Sequence, residues 1–266
     1  MSRFMAIARR SLANSVSTML IYRGNLVFFL MFESMFLAAH FLTIGIGFSF
    51  AGGEIAGWTS HEAYLLTALS GLTHQFFICF FINPLFMLPQ HVWSGQYDYV
   101  LMKPLHPLLA SWATSETSIS NLPNLLINLG LVLYFATTGP GEVAMPQALA
   151  CIAALVCGLS IRVAFAMLCV APVFLSERLV GVEETYWSIS SLGRYPLTVF
   201  PQWLDRFLTF VLPMAAVAYL PAGALYGKLP SRDLGLGMLA SVVFSLLCYK
   251  LFMSCVRRYQ SVNSGV

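Results

Sequence analysis

Long apolar blocks alternate with short polar ones along this chain. Six blocks come close to, or exceed, the roughly 20 residues that carry a helix across a bilayer. They are Asn25–Phe50, Ala63–Leu88, Ile119–Thr137, Pro146–Phe174, Phe207–Tyr226 and Leu234–Cys255. The pattern predicts about six transmembrane helices. Pro123 and Pro146 fall in first turns, where the missing N–H is tolerated. Asn83-Pro84 weakens the second span near its end, and Pro213 and Pro221 interrupt the fifth, which predicts a bent or broken helix there. Ahead of these blocks, Ser2–Tyr22 has amphipathic spacing. Phe4, Met5, Ala8, Leu12, Val16 and Met19 share one side of a helix, with Arg3, Arg10, Asn14 and Ser17 on the other. Such a helix lies in the headgroup plane, its arginines toward anionic lipid. The expected class is an all-α integral membrane protein with one transmembrane domain over 1–266. It divides into an interfacial helix at 1–23, a six-span bundle at 24–256 and a tail at 257–266.

Composition narrows the class. Charged residues are 9% of the 266 and hydrophobic ones 58%, whereas soluble domains carry about 25% charged residues. The net charge of +3 gives no reason to expect nucleic acid. Where the basic residues fall is more informative. With both termini cytoplasmic, Arg3, Arg9, Arg10, Arg23, Lys103, Arg178, Arg194, Arg206, Arg257 and Arg258 lie inside, and only Lys228 and Arg232 outside. The positive-inside rule therefore sets both termini in the cytoplasm of an inner (plasma) membrane protein. It puts the polar stretches Trp93–Pro107 and Ser176–Arg206 there too. The first apolar block starts too late and runs too long for a cleaved signal peptide. The six cysteines sit in or beside apolar blocks at no metal-ligand spacing, so they read as small buried hydrophobes.

Catalytic chemistry is not indicated. Gly223–Lys228 is one residue short of a phosphate loop and lacks the strand before it; His61-Glu62 lacks the second histidine of a zinc helix. No catalytic residue and no metal ligand is assigned. Polar residues inside the spans are few: Glu33, His40, His74, Gln75, Asn83, Asn128 and Arg162. A lipid-facing Glu33 or Arg162 would be costly, so each is expected to face protein or a water-filled path. Two readings stand for Glu33, His74, Gln75 and Arg162: a translocation path, or structural ties such as Arg162 bonded to a neighbouring carbonyl.

The stretch around which the chain is organised is Trp93–Pro107, WSGQYDYVLMKPLHP. Gln96, Asp98, Lys103 and His106 keep it out of hydrocarbon, Gly95 offers a turn, and Pro104 and Pro107 stop any helix through Tyr97–Met102. It predicts a compact, partly helical loop at the membrane surface, either a plain linker or a docking element.

Gly95–Leu108 (GQYDYVLMKPLHPL) resembles the cytoplasmic loop of permease subunits of type-2 ATP-binding-cassette exporters, the subgroup with a separate ATPase and often a second related permease. The positions that carry the likeness are Gly95, Asp98, Tyr99–Met102, Lys103, Pro104 and Leu105; Lys103 stands where arginine is common. Arg194–Leu225 resembles the segment through that family's fifth span, at Tyr195-Pro196, Arg206, Leu208–Phe210, Pro213, Tyr219 and Pro221-Ala222. The resemblance implies an ATPase-coupling loop carrying Gly95, Tyr97, Asp98, Tyr99, Lys103 and Pro104. It implies a cytoplasmic ATPase dimer as partner, a second permease, identical or related, and surrounding lipid. This chain would bind no cofactor itself, since ATP and Mg belong to the ATPase, and it would move an amphiphilic or hydrophobic molecule outward. The alternative is an ion-coupled secondary transporter. That class shows inverted repeats and several intramembrane carboxylates, of which only Glu33 is present here.

Overall fold

The structure is a computed structural model that describes residues 17, 21, 23–115, 118–139, 143–176 and 181–259. The expected interfacial helix at 1–23 lies almost wholly outside the described residues. The described residues are mostly helical, with one short antiparallel hairpin among them. In order it forms α1 (Arg23–Phe50), β1 (Glu54–Ile55), β2 (Trp58–Thr59), α2 (Ser60–Phe80), α3 (Ile82–Phe86), α4 (Leu88–Trp93), α5 (Tyr97–Leu101) and α6 (Pro107–Thr114). Then follow α7 (Leu122–Thr137), α8 (Met145–Val170), α9 (Val182–Ser190), α10 (Gln202–Arg206), α11 (Tyr219–Leu225) and α12 (Ser231–Arg257). Among the described residues, four helical stretches are long and apolar enough to cross a membrane: Leu26–Phe50, Ser60–Phe80, Met145–Phe174 and Ser231–Arg257. Leu122–Thr137 is shorter. Many large apolar side chains on these helices face outward, among them Phe28, Met31 and Met35 of α1 and Leu246 and Leu247 of α12. Such a surface is untenable in water and ordinary in lipid. The protein is an all-α, multi-pass membrane protein.

Local chemistry explains where several elements begin and end. Thr59 and Glu62 cap α2 reciprocally: Thr59 N donates to Glu62 Oε2 at 2.8 Å, and Glu62 N to Thr59 Oγ1 at 3.5 Å. The second apolar block was expected to run to Leu88. Instead α2 stops at Phe80, and Pro84 and Pro89 sit in two short helices, because a proline cannot sit inside a helix without losing a rung of its ladder.

Two ends of the bundle can be told apart by contacts. At one, Lys228 reaches the β-hairpin, donating to Glu62 Oε2 and to the Gly57 carbonyl, both at 2.6 Å. Tyr226, 3.2 Å from His61 Nδ1, donates to the Phe135 carbonyl at 3.1 Å there as well. The other end carries Arg23, α3–α6 and Arg257. Following the distribution of basic residues, these are the outer and inner ends.

The fifth span departs from expectation. Phe207–Tyr226 does not cross the bundle. It breaks into a π-helical turn (Phe207–Val211), a 3₁₀ turn (Met214–Val217) and α11. Ala216 rests against Gly158 of α8, about 20 Å along that helix from its start, while Tyr219 packs on Trp58 of the outer hairpin with ring centroids 5.7 Å apart. Asp205 and Asp233 both act electrostatically on Tyr219, so α10 also sits toward the outer end. The segment is thus a re-entrant hairpin that dips from the outer end to mid-depth and returns. Val182–Val199 takes the crossing instead, through α9 and two 3₁₀ turns, Ser191–Arg194 and Leu197–Val199. Ser190 meets Arg162 of α8, and Arg194 meets His40 of α1. Both contacts lie well inside the bundle, since Arg162 is about 12 Å from the end of α8. Arg194 and Arg206, both expected in the cytoplasm, therefore move to mid-depth and to the outer end. Directions still alternate, with α1, α7 and Val182–Val199 running outward and α2, α8 and α12 inward.

Candidate functional site

Two sites carry the polar residues singled out in the sequence. The first is the inner-end helical hairpin of α4, α5 and α6. Gly95 turns the chain between α4 and α5 with φ +69°, a left-handed conformation that a Cβ would penalise. Tyr97 does not join the exposed surface. It is 1% exposed, its ring lying 5.2 Å from Phe174 and 5.6 Å from Tyr259, and its hydroxyl lies near Ser111. Burial pushes that hydroxyl up to about 12, so it stays protonated. Asp98 is half-buried and turned to the chain's own C-terminal segment. The Tyr259 hydroxyl is pushed up to about 12 by burial and then by the nearby Asp98 carboxylate. His106 Nε2 lies 3.0 Å from the Tyr249 hydroxyl of α12, with the two rings stacked.

These contacts fix one face of the hairpin to α12 and to Phe174 and Tyr259 beside it, and leave the other bare. Leu101, Met102, Lys103, Pro104 and Leu105 are exposed in succession. Tyr99 is 69% and Met102 70% exposed. Of the six residues implied for coupling, Tyr99, Lys103 and Pro104 lie on the open face, Gly95 and Tyr97 hold the hairpin together, and Asp98 points back to the bundle.

The second site is a cavity of about 850 Å³ between α1, α2, α7 and the Val182–Val199 crossing. Glu33, His74 and Gln75 all line it. Gln75 Nε2 donates to Glu33 Oε2 at 2.9 Å, so the carboxylate faces protein rather than lipid. Across the cavity His40 Nδ1 lies 2.9 Å from the Phe36 carbonyl, which can only accept. His40 Nδ1 therefore carries the proton, and Nε2 is the acceptor 3.3 Å from Arg194 Nη1. Three amides complete the wall. Asn128 Nδ2 donates to the Asn124 carbonyl at 2.8 Å. Gln75 Oε1, Asn124 Nδ2, Asn128 Oδ1 and His74 Nδ1 are buried without a hydrogen-bond partner among the described residues. Asn128 lies against Gly71, where any Cβ would collide with its amide oxygen.

Arg162 does not line this cavity. It is 1% exposed and ties three segments together from behind the wall. Nε donates to Thr73 Oγ1 at 3.1 Å, Nη1 to Ser190 Oγ at 3.0 Å and Nη2 to the Ser70 carbonyl at 3.2 Å. The bond to the Ser70 carbonyl is of the kind a structural tie would make. Ser70, Thr73, Ser190, Asn124 and Arg194 went unrecognised as site residues. The i, i+4 pair Asn124/Asn128, on one face of a helix with Pro123 in its first turn, was the available signal. Nothing local distinguishes Ser190. Among the described residues, no three His, Cys, Asp or Glu side chains gather as a metal site, and the six cysteines are free.

A family model described as an ABC-2 family transporter protein matches residues 34–263. No curated protein matches the chain.

Proposed function

Because the chain belongs to the ABC-2 transporter family, a family of ABC-transporter permeases that work with an ABC ATPase, we propose that it couples to a separate ATPase dimer through α4–α6 and exports an amphiphilic cargo. The observation that carries this reading is the two-faced inner hairpin. One face is held by His106 against Tyr249 of α12 and by Tyr97 and Asp98 against Tyr259 just past the end of α12, and the other presents Tyr99, Met102, Lys103, Pro104 and Leu105. A docking element needs both features. The bare face supplies apolar and cationic contacts to a partner groove, and the clamp passes the partner's motion to a membrane-crossing helix. In this reading ATP and Mg are bound by the ATPase, a second permease copy or relative completes the path, and the polar cavity is part of that path in an inner membrane.

The test is co-purification of loop variants with the co-expressed ABC ATPase, followed by ATP-driven export in vesicles. Tyr99→Ala and Lys103→Ala should each weaken the complex by about 1–3 kcal/mol and leave the melting temperature of the permease unchanged. Full ATPase binding and full export by the double variant would reduce the hairpin to a linker. Transport that needs no ATP and follows an imposed ion gradient would favour an ion-coupled carrier.

A further inference from the structure

The cavity between α1, α2 and α7 holds two formal charges that form no ion pair with each other or with any other described residue. Among the described residues, Glu33 receives only the Gln75 amide, and Arg194 meets only the His40 ring. The one ion pair among the described residues is elsewhere, between Lys228 and Glu62 at the outer end. Charges held within a bundle without counter-charges are costly, and a charged ligand that neutralises both removes that cost. Glu33 and His40 are seven residues apart on α1, about 10 Å along the helix. The anionic and cationic ends of the cavity are therefore separated by roughly the length of one polar head with its side-chain partners.

The uncharged wall fits the same kind of guest. Gln75 and Asn124, each 3% exposed and part of the cavity lining, carry amide atoms without a partner among the described residues, an acceptor on Gln75 and a donor on Asn124, while the Asn128 oxygen is turned to Gly71. Buried amides left without partners cost about as much as lost hydrogen bonds, so this wall fits a polar guest and does not fit a hydrocarbon one. Apolar side chains, Phe32, Phe36, Leu37 and Ile44 of α1, line the remainder. A purely cationic head would leave Glu33 satisfied and meet Arg194 with like charge; a purely anionic head does the reverse. A polyol would bond the amides and leave both charges unneutralised.

We infer that this cavity binds a zwitterionic amphiphile, its cationic group toward Glu33 and Gln75, its anionic group toward Arg194, and its apolar body along the phenylalanine wall of α1. The inference deepens the reading of the cavity as part of the export path and depends on it only for the transport step. The same chemistry could come from an exported cargo or from a resident bilayer lipid, and the two arms of the test separate them.

The first arm is binding, with full-length permease in nanodiscs that contain no zwitterionic lipid. An alkylphosphocholine brominated in its chain quenches Trp187 in the cavity wall, read as the difference from Trp187→Phe. Saturable quenching is expected, with an apparent Kd at least about tenfold lower than for the trimethylammonium and sulfate analogues of the same chain. Glu33→Gln and Arg194→Gln should each weaken the phosphocholine by a similar factor. Equal quenching by the three head groups on the wild-type chain overturns the inference, and that comparison needs no variant to fold. So does undiminished phosphocholine binding by both variants. The second arm is ATP-driven movement in vesicles with the ATPase. A phosphocholine that is bound and exported supports a cargo site. One that is bound and never moved leaves the zwitterion site standing as a lipid site and removes the cavity from the export path. Export of other amphiphiles without phosphocholine binding keeps the path and overturns the zwitterion site.

Discussion

Ser190 and Arg162 offer the sharpest check on the path of the chain. If Val182–Val199 is the fifth crossing, Ser190 Oγ accepts from Arg162 Nη1 at 3.0 Å between two buried residues. If that segment were cytoplasmic, as hydropathy alone implies, the two would never meet. A double-mutant cycle with Arg162→Met and Ser190→Ala isolates the pair. Polar pairs between membrane helices average about 0.6 kcal/mol and reach about 1.7 kcal/mol. A charged donor in a site closed to water belongs at the upper end, since bonds to charged groups are worth roughly 1.5–3 kcal/mol in folded proteins. The expected coupling is therefore about 1–2 kcal/mol. Arg162→Met alone should cost more, because it also removes the donors to Thr73 and to the Ser70 carbonyl. Arg162→Lys should recover only part of the loss, for one ammonium cannot reach three acceptors set in a fork. The assay is reversible unfolding of the permease in mixed micelles, read by tryptophan fluorescence for the four proteins of the cycle. Additive effects, with a coupling below about 0.3 kcal/mol, would refute the pairing and return the fifth crossing to Phe207–Tyr226.

Two further outcomes follow from the same geometry. A cysteine placed at Gln202 should be labelled only from the outer side and one at Gln96 only from the cytoplasmic side; cytoplasmic labelling of position 202 would remove the re-entrant hairpin. Gly158→Val should drive its side chain into Ala216 and the Val217 backbone, costing about 1–3 kcal/mol as overpacking does and raising protease sensitivity within Phe207–Leu225, whereas Gly130→Val, where nothing lies within 4 Å, should melt like the parent.

The apolar blocks by themselves determined that this is a helical membrane protein, and they located α1, α7, α8 and α12 along with much of α2. Those helices are apolar because lipid surrounds them, and composition records that directly. The loop from Trp93 to Pro107 was legible for a similar reason: glycine and proline impose local backbone geometry whatever surrounds them, and Gly95 does take a positive φ. Tertiary structure alone decided the fifth crossing. Val182–Val199 looks extramembranous because it carries Glu183, Glu184 and Arg194, yet Ser190 and Arg194 find partners on α8 and α1. Phe207–Leu225 looks like a span because it is apolar, yet much of it is apolar to pack against α8 at mid-depth, with Met214–Ala218 buried. Hydropathy counts polar atoms and cannot tell which of them are satisfied by another helix. The same limit hid the cavity. Glu33, Gln75, Asn128 and Arg194 come from four separate segments, and only their packing sets the two unpaired charges in one chamber.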